Sequence, residues 1–573
     1  MGQPISSRNI ARIVTAAYAL SLVIAVLYLR PGCVHLVVWA SQEKSAVLGD
    51  LARRYEQTGP SEDLRCVEID VVRKASGEAE EALRHDAFAT DTARPDVWSP
   101  AAVTWVRLLE RHREVAGAPP IVPSEGGASF LQSPLVLAMP EPMAKALGWP
   151  TSEISWSEVF ALAQDPRGWA SRGHPEWGPF KLAKTNPHIS TSGLHMLITT
   201  YRIAGSGSTD EARVRAFMQS VESSVVQNGS TVSAFLKNLA DADDRGEALA
   251  YVSAIAVEEK QVCEYNQGNP EFRSSGTRLV PTIKLVPVQP RGGTFMADHP
   301  YVVLDEPWVN DQKRRAAGRF LAYLKSEPVQ QELQRQGFRG ARGETAPVID
   351  CPELQPLKPL VLLSTPDPAT LEQIQESWKD YRRRARVLIV MDVSRSMGDR
   401  LGSESASKLD LAKRATLSAL DEFAGDDEVG LWTMAGNERR ELVGIAPLRE
   451  QNGLLRTEID RLAPDGTGKA LYATVSSAVG SVRQRLDRER INAVIVLTDG
   501  RNDDPSNSDL NGLVRALRLQ PDSERVRVFT IAYGPGADRD ALDKIALAAR
   551  GARYEAVDPS VIGRAVLEAV SNF

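Results

Sequence analysis

The chain has 573 residues, more than one hydrophobic core ordinarily supports, so a single uninterrupted fold is excluded and two or three domains are expected. Hydrophobic residues at 43% and charged residues at 25% are globular values, which excludes a fibrous or extensively disordered chain. A formal net charge of −6 gives no whole-molecule attraction to nucleic acid, and the basic run YRRRAR at 381–386 reads as a solvated helix end, so no nucleic-acid partner is expected.

In chain order, the first element is the run IVTAAYALSLVIAVLYL at 13–29, which carries no charge. As a helix it spans about 25 Å, slightly short of a hydrocarbon core of about 30 Å. Arg12 and Arg30 flank the run and can snorkel to extend it. Arg8 and Arg12 precede it, so the positive-inside rule predicts a single-pass anchor in the cell membrane at about residues 10–30, with the bulk of the chain extracytoplasmic. A cleaved signal peptide competes with this reading, but the Tyr-Leu-Arg-Pro-Gly that follows has no small-residue cleavage site.

From 33 to 351, β-rich apolar runs alternate with amphipathic helices, the pattern of α/β architecture. Strands are predicted at 35–41, 67–72, 134–139, 180–186, 248–254 and 280–288. Helices are predicted at 43–55, 192–203, 210–225 and 230–243, and over 311–333 with a break at Ser326-Glu327-Pro328. Cys33 and Cys66 each stand just before a predicted strand; as parallel neighbours those strands would begin side by side, and a disulfide is expected there. Cys263 and Cys351 are either a second pair or two buried thiols. The proline-rich stretch 351–370 reads as a linker and 369–384 as a connecting helix. The expected division is therefore 1–32 stub and anchor, 33–351 first globular domain, 352–384 linker and helix, and 385–573 second globular domain.

Several Ser/Thr/Gly clusters stand where strands hand over to helices: Ser41, Ser76, Ser99, and Ser190-Thr191-Ser192-Gly193. Helix N-termini offer free N–H groups and a positive dipole end, so such clusters can hold an oxyanion or carboxylate; plain N-capping explains any single one equally well. Thr185, Asn186, Tyr265 and Asn266 are further candidate polar groups for a ligand cleft. The tryptophans concentrated in this region, Trp39, Trp98, Trp105 and Trp169 among them, read as core. No catalytic residue is assigned, since no HExxH, GxSxG or complete phosphate-loop motif is present.

The second domain opens with ARVLIVMDVSRSM, which places Asp392, Ser394 and Ser396 directly after an apolar strand and before a helix starting near Lys408. In an open parallel sheet, ligands bind beyond the carboxyl ends of the strands. A second loop carries Thr467 in Pro-Asp-Gly-Thr-Gly before a helix at 470–486, and a third carries Asp499 at the end of AVIVLTDG. Hard oxygen donors with few full charges suit Mg²⁺, or Mn²⁺ or Ca²⁺, rather than Zn²⁺. Asp503 and Asp504 near this rim could repel acidic ligands or hold a second cation.

These residues resemble the metal-ion-dependent adhesion site of von Willebrand factor A-type domains, with its D-x-S-x-S, loop threonine and later aspartate. Carried over position by position, Asp392, Ser394, Ser396, Thr467 and Asp499 match that pattern. The resemblance implies a Rossmann-like, mostly parallel sheet over 385–573, with strands at 428–434, 493–498 and 526–533. It also implies an open coordination position that a Glu or Asp of a partner protein completes. The region 34–351 resembles bacterial extracellular solute-binding proteins of the two-lobed periplasmic type, through phrases such as VVWASQEK, PDVWSP, KTNPHISTSGLHMLI and GGTFMADHPYVVL. This implies two lobes that close on a small solute, an oxyanion or a peptide, with crossings near 134–140 and 294–303.

Together these readings predict a membrane-anchored extracytoplasmic binding protein with no enzymatic activity of its own. Alternatives are a substrate-delivery component of a transport system and a partner subunit of an ATPase or chelatase-like complex.

Overall fold

The computed structural model describes residues 32–570 apart from short segments, the longest of which are 89–93, 206–209, 273–278, 346–350, 355–359, 401–405 and 557–561. The expected membrane span at 13–29 lies outside the described residues. Among those described, no helix is long and apolar enough to cross a membrane. The chain divides into two compact units, one made of 1–132 with 298–334 and 339–346, the other of 133–297 with 335–338 and 347–573.

The first unit is built on strand Val34–Ala40, buried at every position but one because helices cover both faces of a parallel pair. Arg65–Arg73 and Val97–Ser99 flank it in parallel, and Pro300–Val303 joins antiparallel to Val97–Ser99. The register sets Val34 opposite Val67, so the preceding cysteines meet, and the Cys33–Cys66 disulfide is formed with the Cα atoms 4.4 Å apart. Trp39, Trp98 and Trp105 are fully buried, as expected for core.

The second unit holds two sheets. In the first, Leu131–Pro140 pairs antiparallel with Leu285–Val288 and with Ala254–Glu258, and Leu182–Thr185 runs parallel to Ala254–Glu258 and Val225–Gly229. Trp156, Phe160 and Trp169 fill one side of this sheet. The strand expected at 248–254 is instead a short helix, Ala248–Tyr251, followed by strand Ala254–Glu258. A short apolar run does not by itself distinguish helix from strand, and the fully buried pattern of AIAVE is the true strand signal. The strand expected at 280–288 is confined to Leu285–Val288. Cys263 and Cys351 are buried thiols in a small cluster with Leu354, not a second disulfide.

The second sheet of this unit has the order 438–447, 428–435, 385–392, 491–498, 527–533, 553–556. All neighbours are parallel except the antiparallel edge strand Glu438–Pro447. Ala385–Asp392 and Ile491–Thr498 lie at its centre and are apolar on both faces, because helices pack on each side. Helix Lys408–Ala419 covers one face and Leu471–Gln484 the other. The central strands thus end together at one rim of the sheet.

The connecting helix is Pro368–Tyr381, N-capped by the Asp367 side chain. It is seated rather than slack. Gln375 donates to the Pro187 carbonyl (3.0 Å), and the Trp378 indole donates to Glu222 (3.0 Å), which is paired with buried Lys184 at 2.5 Å. Arg382, the next residue but three, forms a buried ion pair with Asp427, whose carboxylate also accepts the Ala385 and Ala424 N–H groups.

Candidate metal centre

At the end of strand Ala385–Asp392 the Asp392 carboxylate is fully buried, so each of its oxygens needs a partner. Oδ1 accepts the Ser394 N–H at 2.8 Å, fixing the turn, and Oδ2 accepts the Thr498 hydroxyl at 2.6 Å across the sheet. The same turn brings Ser394 Oγ within 3.2 Å of Ser396 Oγ, and Ser396 donates to Asp499 Oδ1 at 2.8 Å. Four of the five residues expected from sequence, Asp392, Ser394, Ser396 and Asp499, are therefore brought together from two separate strand ends. Thr467 lies outside the described residues; its neighbours do reach the rim, since Gly466 O accepts the Arg395 N–H at 3.2 Å.

Two lysines that sequence reasoning did not include complete the cluster. Lys469 Nζ sits 2.6 Å from Asp499 Oδ1, 3.1 Å from Asp392 Oδ2 and 3.2 Å from Ser396 Oγ. Lys408 Nζ takes the other Asp499 oxygen at 2.6 Å and also donates to the Ser396 carbonyl at 3.2 Å. Gly500 is what lets Lys469 in, because a Cβ at that position would lie 2.1 Å from Nζ. Burial alone would raise the Asp499 carboxyl, but hydrogen bonds from Lys408 and Lys469 reverse this and hold it below the usual carboxylate range. Burial likewise works against the Lys469 ammonium, and the Asp392 and Asp499 carboxylates more than offset it, so its pKa is raised.

Two carboxylates and two hydroxyls are the hard-oxygen donors that Mg²⁺ or Mn²⁺ takes, so the residues present fit such an ion. The point they surround is held by the Lys469 ammonium, a monovalent cation on a tether. A divalent ion and that ammonium cannot share one position. Of the two rim aspartates singled out from sequence, Asp504 is turned into its own loop, accepting the Ser506 N–H at 2.8 Å and hydroxyl at 2.6 Å, while Asp503 is exposed.

The candidate solute-binding residues are engaged within their own halves of the chain. In the first unit, Ser41 Oγ accepts Lys44 Nζ (2.6 Å), Ser76 Oγ accepts the Ala101 N–H (3.0 Å), and Ser99 donates to the Pro300 carbonyl (2.8 Å). In the second, Thr185, Ser192 and Ser190 form a hydroxyl chain with spacings of 3.0 and 3.1 Å at the start of helix Thr191–Gly205. Gly193 allows that helix to approach its strand, since a Cβ there would lie 2.2 Å from the Thr185 carbonyl oxygen. Asn186 accepts the His188 N–H (2.8 Å), and Asn266 pairs with both backbone groups of Leu285. Tyr265 is 2% exposed and packs in the apolar cluster of Val262, Phe272 and Leu285, because its helix lays that face on the sheet.

Residues 36–339 match the bacterial extracellular solute-binding protein family, and residues 387–565 match the von Willebrand factor type A domain. An uncharacterized protein of Mycobacterium tuberculosis is 23% identical over 482 residues, covering 82% of this chain and 66% of the relative. The chain thus spans just under two thirds of that relative's length. Among solved structures, the periplasmic binding protein AfuA from Actinobacillus pleuropneumoniae, with fructose-6-phosphate bound, is 16% identical, covers 61% of this chain and 98% of its own, and has a TM-score of 0.39. A von Willebrand factor type A protein from Catenulispora acidiphila is 19% identical over 33% of this chain and 42% of its own, with a TM-score of 0.28.

Proposed function

Because the chain belongs to the bacterial extracellular solute-binding protein family and carries a von Willebrand factor type A domain, we propose that it is an extracytoplasmic receptor with two binding functions, held at the membrane by residues 13–29. The solute-binding domain takes a small ligand, for which the hydroxyl chain of Thr185, Ser190 and Ser192 at a helix N-terminus is suited to an anionic or hydroxyl-rich group. The second domain docks a partner protein at the rim of its sheet, with Asp392, Ser394, Ser396, Thr467 and Asp499 holding a divalent ion. Bound there, the ion would supply Lewis acidity toward an acidic side chain of the partner.

The observation that carries this reading is the convergence of Asp392, Ser396 and Asp499 on one cation position, filled by an ammonium with contacts of 2.6–3.2 Å. Thermal unfolding of the full chain with and without Mg²⁺ or Mn²⁺ tests it. An ion at about 100 times its dissociation constant stabilises the folded state by roughly 2.7 kcal/mol, and Asp392→Ala should abolish the shift. Melting of the wild type that ignores saturating metal, or an undiminished shift in Asp392→Ala, overturns the metal reading. A parallel screen of oxyanions, sugars and peptides, repeated on Ser190→Ala and Ser192→Ala, identifies the solute class. A hit unaffected by both substitutions removes the hydroxyl chain from the site.

A further inference from the structure

The solute-binding match at 36–339 is divided between both compact units, whereas the von Willebrand match at 387–565 lies wholly in the second. The first unit fastens the start of the described chain: the Cys33–Cys66 disulfide closes there, and Arg65 donates to the Gly32 carbonyl at 2.6 Å. Only Arg30 and Pro31 separate Gly32 from the run proposed to anchor the protein. We propose that the von Willebrand domain is a rigid extension of the lobe 133–297, so that lobe closure on a solute turns the docking rim relative to the anchored unit. This rests on the two-site receptor proposed above and adds how its first site controls its second.

The bland alternative is a proline-rich spacer with the second domain carried on it as a separate bead. From residue 361 this connection is instead tied down three times on the lobe. The Thr294 N–H donates to the Val361 carbonyl at 2.9 Å, and the Thr294 carbonyl accepts the Leu363 N–H at 2.8 Å, which makes a parallel bridge. Gly293 admits this segment, because a Cβ there would lie 2.9 Å from the Leu363 side chain and 3.0 Å from the Val361 carbonyl oxygen. One residue on, Arg202 donates to the Ser364 carbonyl at 3.1 Å. Helix Pro368–Tyr381 then buries Leu371, Ile374 and Trp378 and packs on helices Thr191–Gly205 and Glu211–Ser224, with the Gln375 and Trp378 bonds to Pro187 and Glu222 as the third tie.

The far end of the helix is held as closely. Arg382, Arg383 and Arg384 join it to strand Ala385–Asp392, and each is bonded to the von Willebrand domain. Arg382 pairs with Asp427, Arg383 donates to the Glu489 carbonyl at 3.0 Å, and the Arg384 carbonyl accepts the Ile491 N–H at 2.8 Å. A joint at this point would part the buried Arg382 from the buried Asp427, a costly separation of charges. The surfaces also face each other directly, since Asn238 and Tyr251 of the lobe line one cavity of about 270 Å³ with Leu547 and Ala548 of the domain. A helix of about 21 Å held at both ends, with facing surfaces beside it, makes one body of lobe and domain. Closure of a two-lobed binding domain moves one lobe against the other, so the rim at Asp392 and Asp499 travels with the lobe 133–297.

The experiment is pulsed electron–electron resonance on the full chain with nitroxide pairs at three exposed positions: Arg213→Cys on the lobe, Glu450→Cys on the von Willebrand domain and Glu114→Cys on the first unit. The native cysteines are disulfide-bonded or buried. The 213–450 pair should give one narrow distance, alone and with inorganic phosphate, sulfate, glucose or trialanine. The 114–213 and 114–450 pairs should shift together, with matching populations. Inserting Gly-Ser-Gly-Ser between Tyr381 and Arg382 should spread the 213–450 distance by about 10–12 Å, the reach of a flexible segment of that length. A broad 213–450 distribution without the insertion, a width unchanged by the insertion, or a 114–450 distance that stays fixed while 114–213 shifts would each overturn the proposal. A 114–213 distance fixed in every condition would do so as well, since a lobe that does not move has nothing to transmit. These distances need no bound metal, so failure of the metal reading is told apart from failure of this one.

Discussion

Replacing Lys469 by methionine separates the tethered ammonium from the oxygen donors it neutralises. In the wild type its side chain is 4% exposed and bridges Asp499 and Asp392 at 2.6 and 3.1 Å. Removing one member of a buried ion pair costs about 3–5 kcal/mol. Asp392 would keep the Thr498 hydroxyl and Ser394 N–H, and Asp499 would keep Lys408, so the low end, about 3 kcal/mol, applies. For a domain of about this size each kcal/mol moves the melting temperature by about 2–4 °C, so the metal-free transition should fall by about 6–12 °C. On the proposed metal-binding function, the same change removes a cation that an incoming divalent ion would have to displace. About 3 kcal/mol then becomes available to binding, tightening the dissociation constant by about two decades at 1.4 kcal/mol each. Scanning calorimetry of chelator-treated protein gives the first quantity and titration with Mg²⁺ the second. An unchanged melting temperature and unchanged affinity would refute the role given to Lys469. A lowered melting temperature without any metal binding would mean that the lysine is the permanent occupant of the rim.

Three further outcomes follow from packing and burial. Arg382→Ala should destabilise by about 3–5 kcal/mol, read by denaturant titration, because it strands the fully buried Asp427 without its ion-pair partner. Gly193→Ala should cost about 1–3 kcal/mol, since its methyl meets the Thr185 carbonyl, and a neutral result would show that the helix start can shift. His195 is buried against Phe295 and burial lowers its pKa to about 3, so the folded state stays neutral while the unfolded chain takes up a proton below its ordinary value of 6.5. Stability should therefore fall as pH drops from about 6.5 toward 3, by roughly 2 kcal/mol at pH 5, and His195→Leu should flatten that slope.

Much of the second domain was legible because strands buried on both faces read as continuous apolar runs, as in VLIVM and AVIVL, with aspartates fixed at their ends. The edge strand Glu438–Pro447 escaped detection because its first four residues, ERRE, are charged and its apolar remainder, LVGIAP, is interrupted by glycine and ends in proline, with only Val443 fully buried. Arg553–Ala556 alternates, but at four residues it is too short for the alternation to stand out. At the rim, Asp392, Ser394, Ser396 and Asp499 were legible from spacing. Lys469 was not, although it stands two residues after Thr467, because its meaning depends on a side chain crossing Gly500, a long-range contact that no local pattern encodes.

The connecting helix carries Gln375 and Trp378, which grip Pro187 and Glu222, and ends at Arg382, which grips Asp427. It works as a keel shared by both of its neighbours. A pull on the von Willebrand domain would be delivered through Trp378 to the Lys184–Glu222 pair, one residue from Thr185, so mechanical load from a docked partner would register at the start of the helix proposed to hold the solute.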